Sequence, residues 1–92
     1  MAKVKVKYLG AIEIMVGKRN EEIIAESFKE LVNKIGNKYK KLGEYLKMYD
    51  EKITDPPIVI LYNSSFIRSI ENYEGKIKDG DEVVLMGIIG GG

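Results

Sequence analysis

The 92-residue chain has no cysteine, no histidine and no tryptophan, and only two prolines. Without cysteine there can be no disulfide, no thiolate-bound zinc or iron–sulfur cluster, and no thiol nucleophile. Without histidine the commonest general base and the commonest metal ligand are missing as well. An excess of either charge is also lacking, since 15 basic residues against 14 acidic ones give a net charge of +1. A surface that tracks phosphates needs an unbalanced basic stripe. Here Glu21, Glu22, Glu26, Glu30, Glu44 and Glu51 interleave with the lysines, which argues against a nucleic-acid partner. No apolar run approaches the ~20 residues a membrane span requires. The opening Met1-Ala2-Lys3-Val4-Lys5-Val6-Lys7 alternates instead of forming the apolar stretch of a signal peptide. The expectation is a soluble, cytoplasmic protein without a membrane or nucleic-acid partner.

What is present suits one small globular domain. The apolar fraction is 45%, and a chain of this size buries roughly 60–65% of its unfolded surface. Val4, Val6 and Tyr8 alternate with Lys3, Lys5 and Lys7, the period of a half-buried strand. Leu9 to Val16 reads as a connection with a short helical turn, and Asn20 to Ala25 as a second strand paired with the first. Ser27-x-x-Glu30 is a capping box that opens a helix. Phe28, Leu31, Val32 and Ile35 follow at helical spacing, and Tyr39, Leu42 and Leu46 extend the same face. Gly36 weakens this helix by about 1 kcal/mol relative to Ala. Gly43 is expected to break it, with a shorter second helix from Glu44 to Tyr49.

Asp55-Pro56-Pro57 stops helical structure. Ile58 to Tyr62 is continuously apolar and rich in β-branched residues, so it reads as an interior strand. Asn63-Ser64-Ser65 is a turn after which Phe66-Ile67 pairs back briefly, and Ser69 to Ile77 is irregular or a single helical turn. Lys78-Asp79-Gly80-Asp81 is a tight turn in which Gly80 supplies a positive φ. The two aspartates invite a metal or phosphate reading, but one short turn lacks the ligand count for a metal. Glu82 to Met86 is the last strand, with an extension to Ile88 left open. A main helix laid across one face of a mixed sheet gives a two-layer α+β domain. Residues 1–86 form the domain, and residues 87–92 a flexible glycine-rich tail.

That tail ends in Gly90-Gly91-Gly92. It offers no side chain for chemistry, only a main-chain carboxylate on a thin leash. The six residues from Gly87 to Gly92 reach at most roughly 20 Å when extended. With cysteine and histidine missing, the Gly92 carboxylate is the plausible reactive centre. Met86, Ile88 and Ile89 sit beside it, where an apolar patch would meet a partner or individual side chains would turn into the core, and flexible Met suits an adaptable contact.

The stretch Ile77-Lys78-Asp79-Gly80-Asp81-Glu82-Val83-Val84-Leu85-Met86, followed by a diglycine end, resembles the ubiquitin-like sulfur carriers. These are the small subunit of molybdopterin synthase (MoaD) and the thiamine sulfur carrier (ThiS). The resemblance extends thinly over the rest, from the Val4–Gly17 opening through the Phe28–Ile35 helix to the Ile58–Asn63 strand. It implies a β-grasp fold. It also implies a carrier that is not an enzyme on its own. An E1-like adenylyltransferase uses ATP and Mg²⁺ to adenylate Gly92, and sulfide or a persulfide then displaces AMP to leave a thiocarboxylate. Gly90 and Gly91 thread the narrow approach, and no cofactor is held by the carrier itself. The second partner implied is the molybdopterin-synthase large subunit or a thiazole synthase. The long Lys38–Pro57 stretch resembles the molybdopterin branch, whereas the proline-free Met86-Gly87-Ile88-Ile89-Gly90 tail resembles the thiamine carrier. Archaeal ubiquitin-like modifiers share the longer layout and the diglycine end, so conjugation to lysines is an open alternative. A non-covalent β-grasp binding module is a third.

Overall fold

The computed structural model describes residues 1–49, 58–70, 73 and 75–87. The element order is β1 (Ala2–Leu9), α1 (Ala11–Val16), β2 (Asn20–Ala25), α2 (Phe28–Lys38), α3 (Lys40–Lys47), β3 (Ile58–Tyr62), β4 (Ser65–Ile67) and β5 (Glu82–Gly87). The strands form a five-stranded sheet in the order β2-β1-β5-β3-β4. β1 and β5 run parallel, and the other neighbours are antiparallel. This is the mixed sheet and α+β, β-grasp architecture that the sequence predicts.

Alternation fixes which side of the sheet is inside. Ala2, Val4, Val6 and Tyr8 of β1 are buried, and Lys3 and Lys5 are exposed. Ile58, Ile60 and Tyr62 of β3 and Val83 and Leu85 of β5 join them on the inner face. Phe28, Leu31, Ile35, Leu42 and Leu46 cover that face from α2 and α3. A one-residue slip in any strand would turn its apolar set outward, so this pattern locks the register.

The cap of α2 forms much as its sequence suggests. The Ser27 Oγ accepts from the Glu30 N–H at 3.0 Å. The Glu30 carboxylate reaches back to the Glu26 N–H at 3.1 Å, one residue before the cap itself. Removing such a cap typically costs about 1 kcal/mol.

The expected helix break at Gly43 is not observed. The chain breaks at Tyr39, which leaves helical geometry at φ −123° and ψ 91°, and α3 runs through Gly43. Packing explains the glycine. A Cβ at Gly43 would come within 2.6 Å of the Gly36 carbonyl oxygen on α2. Gly36 and Gly43 are therefore where two helices meet backbone to backbone.

The β3–β4 hairpin turns on Asn63 and Ser64 at φ 46° and 74°. Two successive positive φ values make the type I′ turn that matches strand twist in two-residue hairpins. The Tyr49 hydroxyl donates to the Ile67 carbonyl, fastening the segment after α3 to β4. The described part of residues 69–77 carries no regular element. Asp55-Pro56-Pro57 lies outside the described residues.

Candidate functional site

The Lys78–Asp81 turn anchors the start of β5. Gly80 adopts φ 88°, and the Asp81 N–H donates to the Lys78 carbonyl at 3.0 Å. The Asp81 carboxylate accepts from the Lys78 N–H at 2.7 Å, from Asn63 Nδ2 at 3.1 Å and from the Tyr62 hydroxyl. Asp79 accepts from the Lys3 N–H at 2.7 Å. Asn63 completes the corner by accepting from the Glu82 N–H at 2.8 Å. Led by the Tyr62 hydrogen bond, these donors hold the Asp81 carboxyl below the usual range. Both aspartates thus serve as staples between β1, β3 and β5. No metal-holding cluster of three acidic residues exists among the described residues.

β5 carries the chain from this anchor to the tail. Gly87 is its last residue and pairs with Ile58 of β3. On its other flank it passes against the connection between β1 and α1, where Gly10 sits at φ 62°. The chain therefore leaves Gly87 from a strand that lies between two others in the sheet. Gly90, Gly91, Gly92, Ile88 and Ile89 lie outside the described residues.

Met86 is described, and it does not stand alone. It is half-buried on the outer face of β5, opposite Leu9 of β1 and Val59 of β3. Two residues earlier Val84 lies opposite Leu61, which in turn faces Phe66 of β4. Phe66 is 56% exposed and Leu9 39%. Together these six residues make an apolar stripe across the sheet face away from α2 and α3. Its flank is charged, with Lys7 and Glu82 paired at 3.1 Å.

Sequence reasoning found Met86 and missed the other five. The signal was present in Ile58 to Tyr62, apolar at every position. That run reads as an interior strand, as observed. It is central in the sheet, but the described helices cover only the side of Ile58, Ile60 and Tyr62. Val59 and Leu61 are left half-buried on the other.

Glu21 is a second feature that motif reading passes over. It faces inward on β2 and accepts from Tyr8 at 2.5 Å, from Tyr39 at 2.7 Å and from Lys38 at 2.5 Å. Burial by itself would raise its pKa, but the hydrogen bonds from Lys38, Tyr8 and Tyr39 outweigh that and hold it at about 2. Burial and the same carboxylate push the Tyr8 hydroxyl well above its ordinary value. The cluster ties β1, β2 and the end of α2 together.

Comparison with known proteins gives a consistent picture. A model of the ThiS family matches residues 6–92. A Pyrococcus furiosus protein provisionally assigned as molybdopterin converting factor, subunit 1, is 27% identical with a TM-score of 0.74. The match covers 95% of this chain and 98% of that one. Small archaeal modifier protein 1 from Methanosarcina acetivorans is 29% identical with a TM-score of 0.76, over 100% of this chain and 98% of its own. The modifier of the same name from Haloferax volcanii is 15% identical with a TM-score of 0.67, over 99% and 100% of the two chains, and shares the fold. No curated protein matches by sequence.

Proposed function

The chain belongs to the ThiS family, and from that premise we propose that it is a sulfur carrier acting as the small subunit of molybdopterin synthase in molybdenum cofactor biosynthesis. The observation that carries this reading is a family match extending to the terminal Gly90-Gly91-Gly92. It is joined by full-length likeness to the Pyrococcus furiosus protein.

The chemistry rests on the main chain. A C-terminal carboxylate with a pKa of about 3.3–3.7 is ionised at neutral pH and a poor acyl donor. One of its oxygens attacks the α-phosphorus of Mg²⁺-bound ATP on an E1-like adenylyltransferase, and pyrophosphate leaves. Hydrosulfide then adds to the Gly92 carbonyl carbon. The C–S bond forms, the C–O bond to AMP breaks, and AMP departs with the electron pair. The remaining proton is lost to leave a thiocarboxylate. This chain is the substrate in both steps, and its fold positions the tail. The apolar stripe of Leu9, Val59, Leu61, Phe66, Val84 and Met86 supplies a surface for the activating enzyme and then for the large subunit. An exposed apolar patch rimmed by charge is the usual mark of such a surface.

The likeness to the Methanosarcina acetivorans modifier favours a second reading, in which a lysine amine attacks the activated carbonyl and forms an isopeptide bond. The thiamine route, with a thiazole synthase as acceptor, is the third. One experiment separates them. The thiocarboxylated chain is mixed in turn with a molybdopterin-synthase large subunit and with a thiazole synthase, and loss of its sulfur is followed. Consumption with the large subunit supports the proposal. Consumption by thiazole synthase alone, or lysine conjugates in extracts that depend on Gly92 without sulfur transfer, would overturn it.

A further inference from the structure

A side chain at Gly10 would run into the backbone of Gly87, and a side chain at Gly87 into the start of α1. A Cβ on Gly87 would lie 2.9 Å from the Ala11 Cβ, 3.1 Å from the Ala11 nitrogen and 3.2 Å from the Ile12 nitrogen. A Cβ on Gly10 would lie 2.9 Å from the Gly87 carbonyl oxygen. None of these neighbours is the loose end of a flexible side chain, so neither glycine can be enlarged without moving backbone. Gly17 and Gly80 provide the contrast: at φ 86° and 88° they have nothing within 4 Å of an added Cβ. Those two glycines serve local conformation alone. Gly87 shows the reverse, with tight contacts and no positive φ.

We propose that Gly10 and Gly87 form a backbone clamp that positions the root of the C-terminal tail, so that it governs how fast Gly92 is activated and leaves partner docking unaffected. The inference rests on the sulfur-carrier reading. The root is gripped from both sides, by the Ile58 pairing on β3 and by the start of α1 on the other flank. A tail of at most roughly 20 Å holds little slack when stretched to a reaction centre. A shift at the root is then carried to the Gly92 carbonyl carbon. Misplacement of a reacting atom by about 1 Å can lower a rate by about 100-fold. Docking, by contrast, depends on side chains of the outer sheet face, to which neither glycine contributes, although the Leu9–Met86 pair at its edge adjoins them. Gly10 and Gly87 are positioning residues in this account and contact no reacting atom.

The test is ATP–pyrophosphate exchange by the cognate E1-like adenylyltransferase with Mg-ATP, with the full-length carrier as the varied substrate. Gly87→Ala should lower kcat by about 10-fold or more, because its backbone must move by some tenths of an ångström or more. KM for the carrier should stay within about threefold, as docking contacts are unchanged. Adding Ala11→Gly removes the 2.9 Å contact, leaves the 3.1 and 3.2 Å approaches to the Ala11 and Ile12 nitrogens, and should restore part of the lost kcat. Gly17→Ala, which perturbs the other end of α1, should leave kcat unchanged. A kcat for Gly87→Ala equal to wild type, a loss confined to KM, or no recovery in the double variant would overturn the clamp. Should Gly87→Ala not fold, the double variant decides: a folded chain with partial kcat supports the clamp, and failure to fold or no measurable kcat overturns it. A wild-type chain that supports no exchange, with an enzyme active on another carrier, overturns the carrier reading and the clamp's role with it.

Discussion

Replacing Gly43 with alanine should destabilise the protein, although glycine-to-alanine changes inside helices ordinarily stabilise. The ordinary gain is about 1 kcal/mol in helix propensity. Against it stands a Cβ placed 2.6 Å from the Gly36 carbonyl oxygen and 3.1 Å from both the Gly36 carbonyl carbon and Cα. All three are backbone atoms, so α2 and α3 must separate. Overpacking of this kind costs about 1–3 kcal/mol, and a backbone clash belongs at the upper end. The net effect is a loss of about 1–2 kcal/mol, which for a domain of this size lowers Tm by roughly 5–15 °C. Gly36→Ala is the internal control. Its added Cβ meets the Gly43 Cα at 3.3 Å and a yielding Leu46 methyl at 3.9 Å, so propensity and crowding nearly cancel. Thermal and urea melts of the two variants beside wild type measure the difference. A Gly43→Ala protein melting at or above wild type would refute the helix crossing and restore Gly43 as a helix breaker.

The Glu21 cluster and the outer sheet face carry two more expectations. Glu21 has a folded pKa of about 2 against an ordinary 4.5, so its contribution is fully present above pH 4.5 and is lost as pH falls toward 2. The shift corresponds to about 3 kcal/mol of stability at neutral pH. Glu21→Gln should lower Tm at pH 7 and flatten the decline across that acid window, as read by circular dichroism melts. An unchanged acid profile would show that the carboxylate is not held as described. Phe66→Asp, at a side chain 56% exposed, should leave stability within about 0.5 kcal/mol of wild type. It should raise KM for adenylation by about 10-fold, the loss expected of one apolar anchor at an interface. An unchanged KM would remove Phe66 from the docking surface.

Much of this fold is legible in local pattern. The Lys3-to-Tyr8 alternation, the Ser27–Glu30 box and the Gly80 turn each act over a few residues, and the structure forms all three. What could not be read locally depends on distant neighbours. Gly43 looks like a breaker until Gly36 is brought against it. The Ile58–Tyr62 run reads correctly as an interior strand, but which of its two faces stays half-exposed shows only once helices are seen on one side. Gly87 reads as the start of the tail, yet its conformation is ordinary strand and its small size answers to Ala11 and Ile12. Glu21 is one acid among many until Tyr8, Tyr39 and Lys38 converge on it. Gly92 is proposed as the reacting residue on other grounds, since a chain without cysteine or histidine leaves few other places for acyl chemistry.

That absence also sharpens the decisive measurement. The chain is incubated with its E1-like adenylyltransferase, Mg-ATP and sulfide, digested with trypsin, and the peptide from Asp79 to Gly92 is fragmented in a mass spectrometer. With no cysteine to take up sulfur as a persulfide, a sulfur-for-oxygen exchange must lie at a carbonyl group. Fragmentation is needed because oxidation of Met86 adds nearly the same mass. The account predicts the exchange on Gly92 alone, dependent on ATP. A Gly92 that keeps both its oxygens, under conditions where the same enzyme charges another carrier, would contradict it.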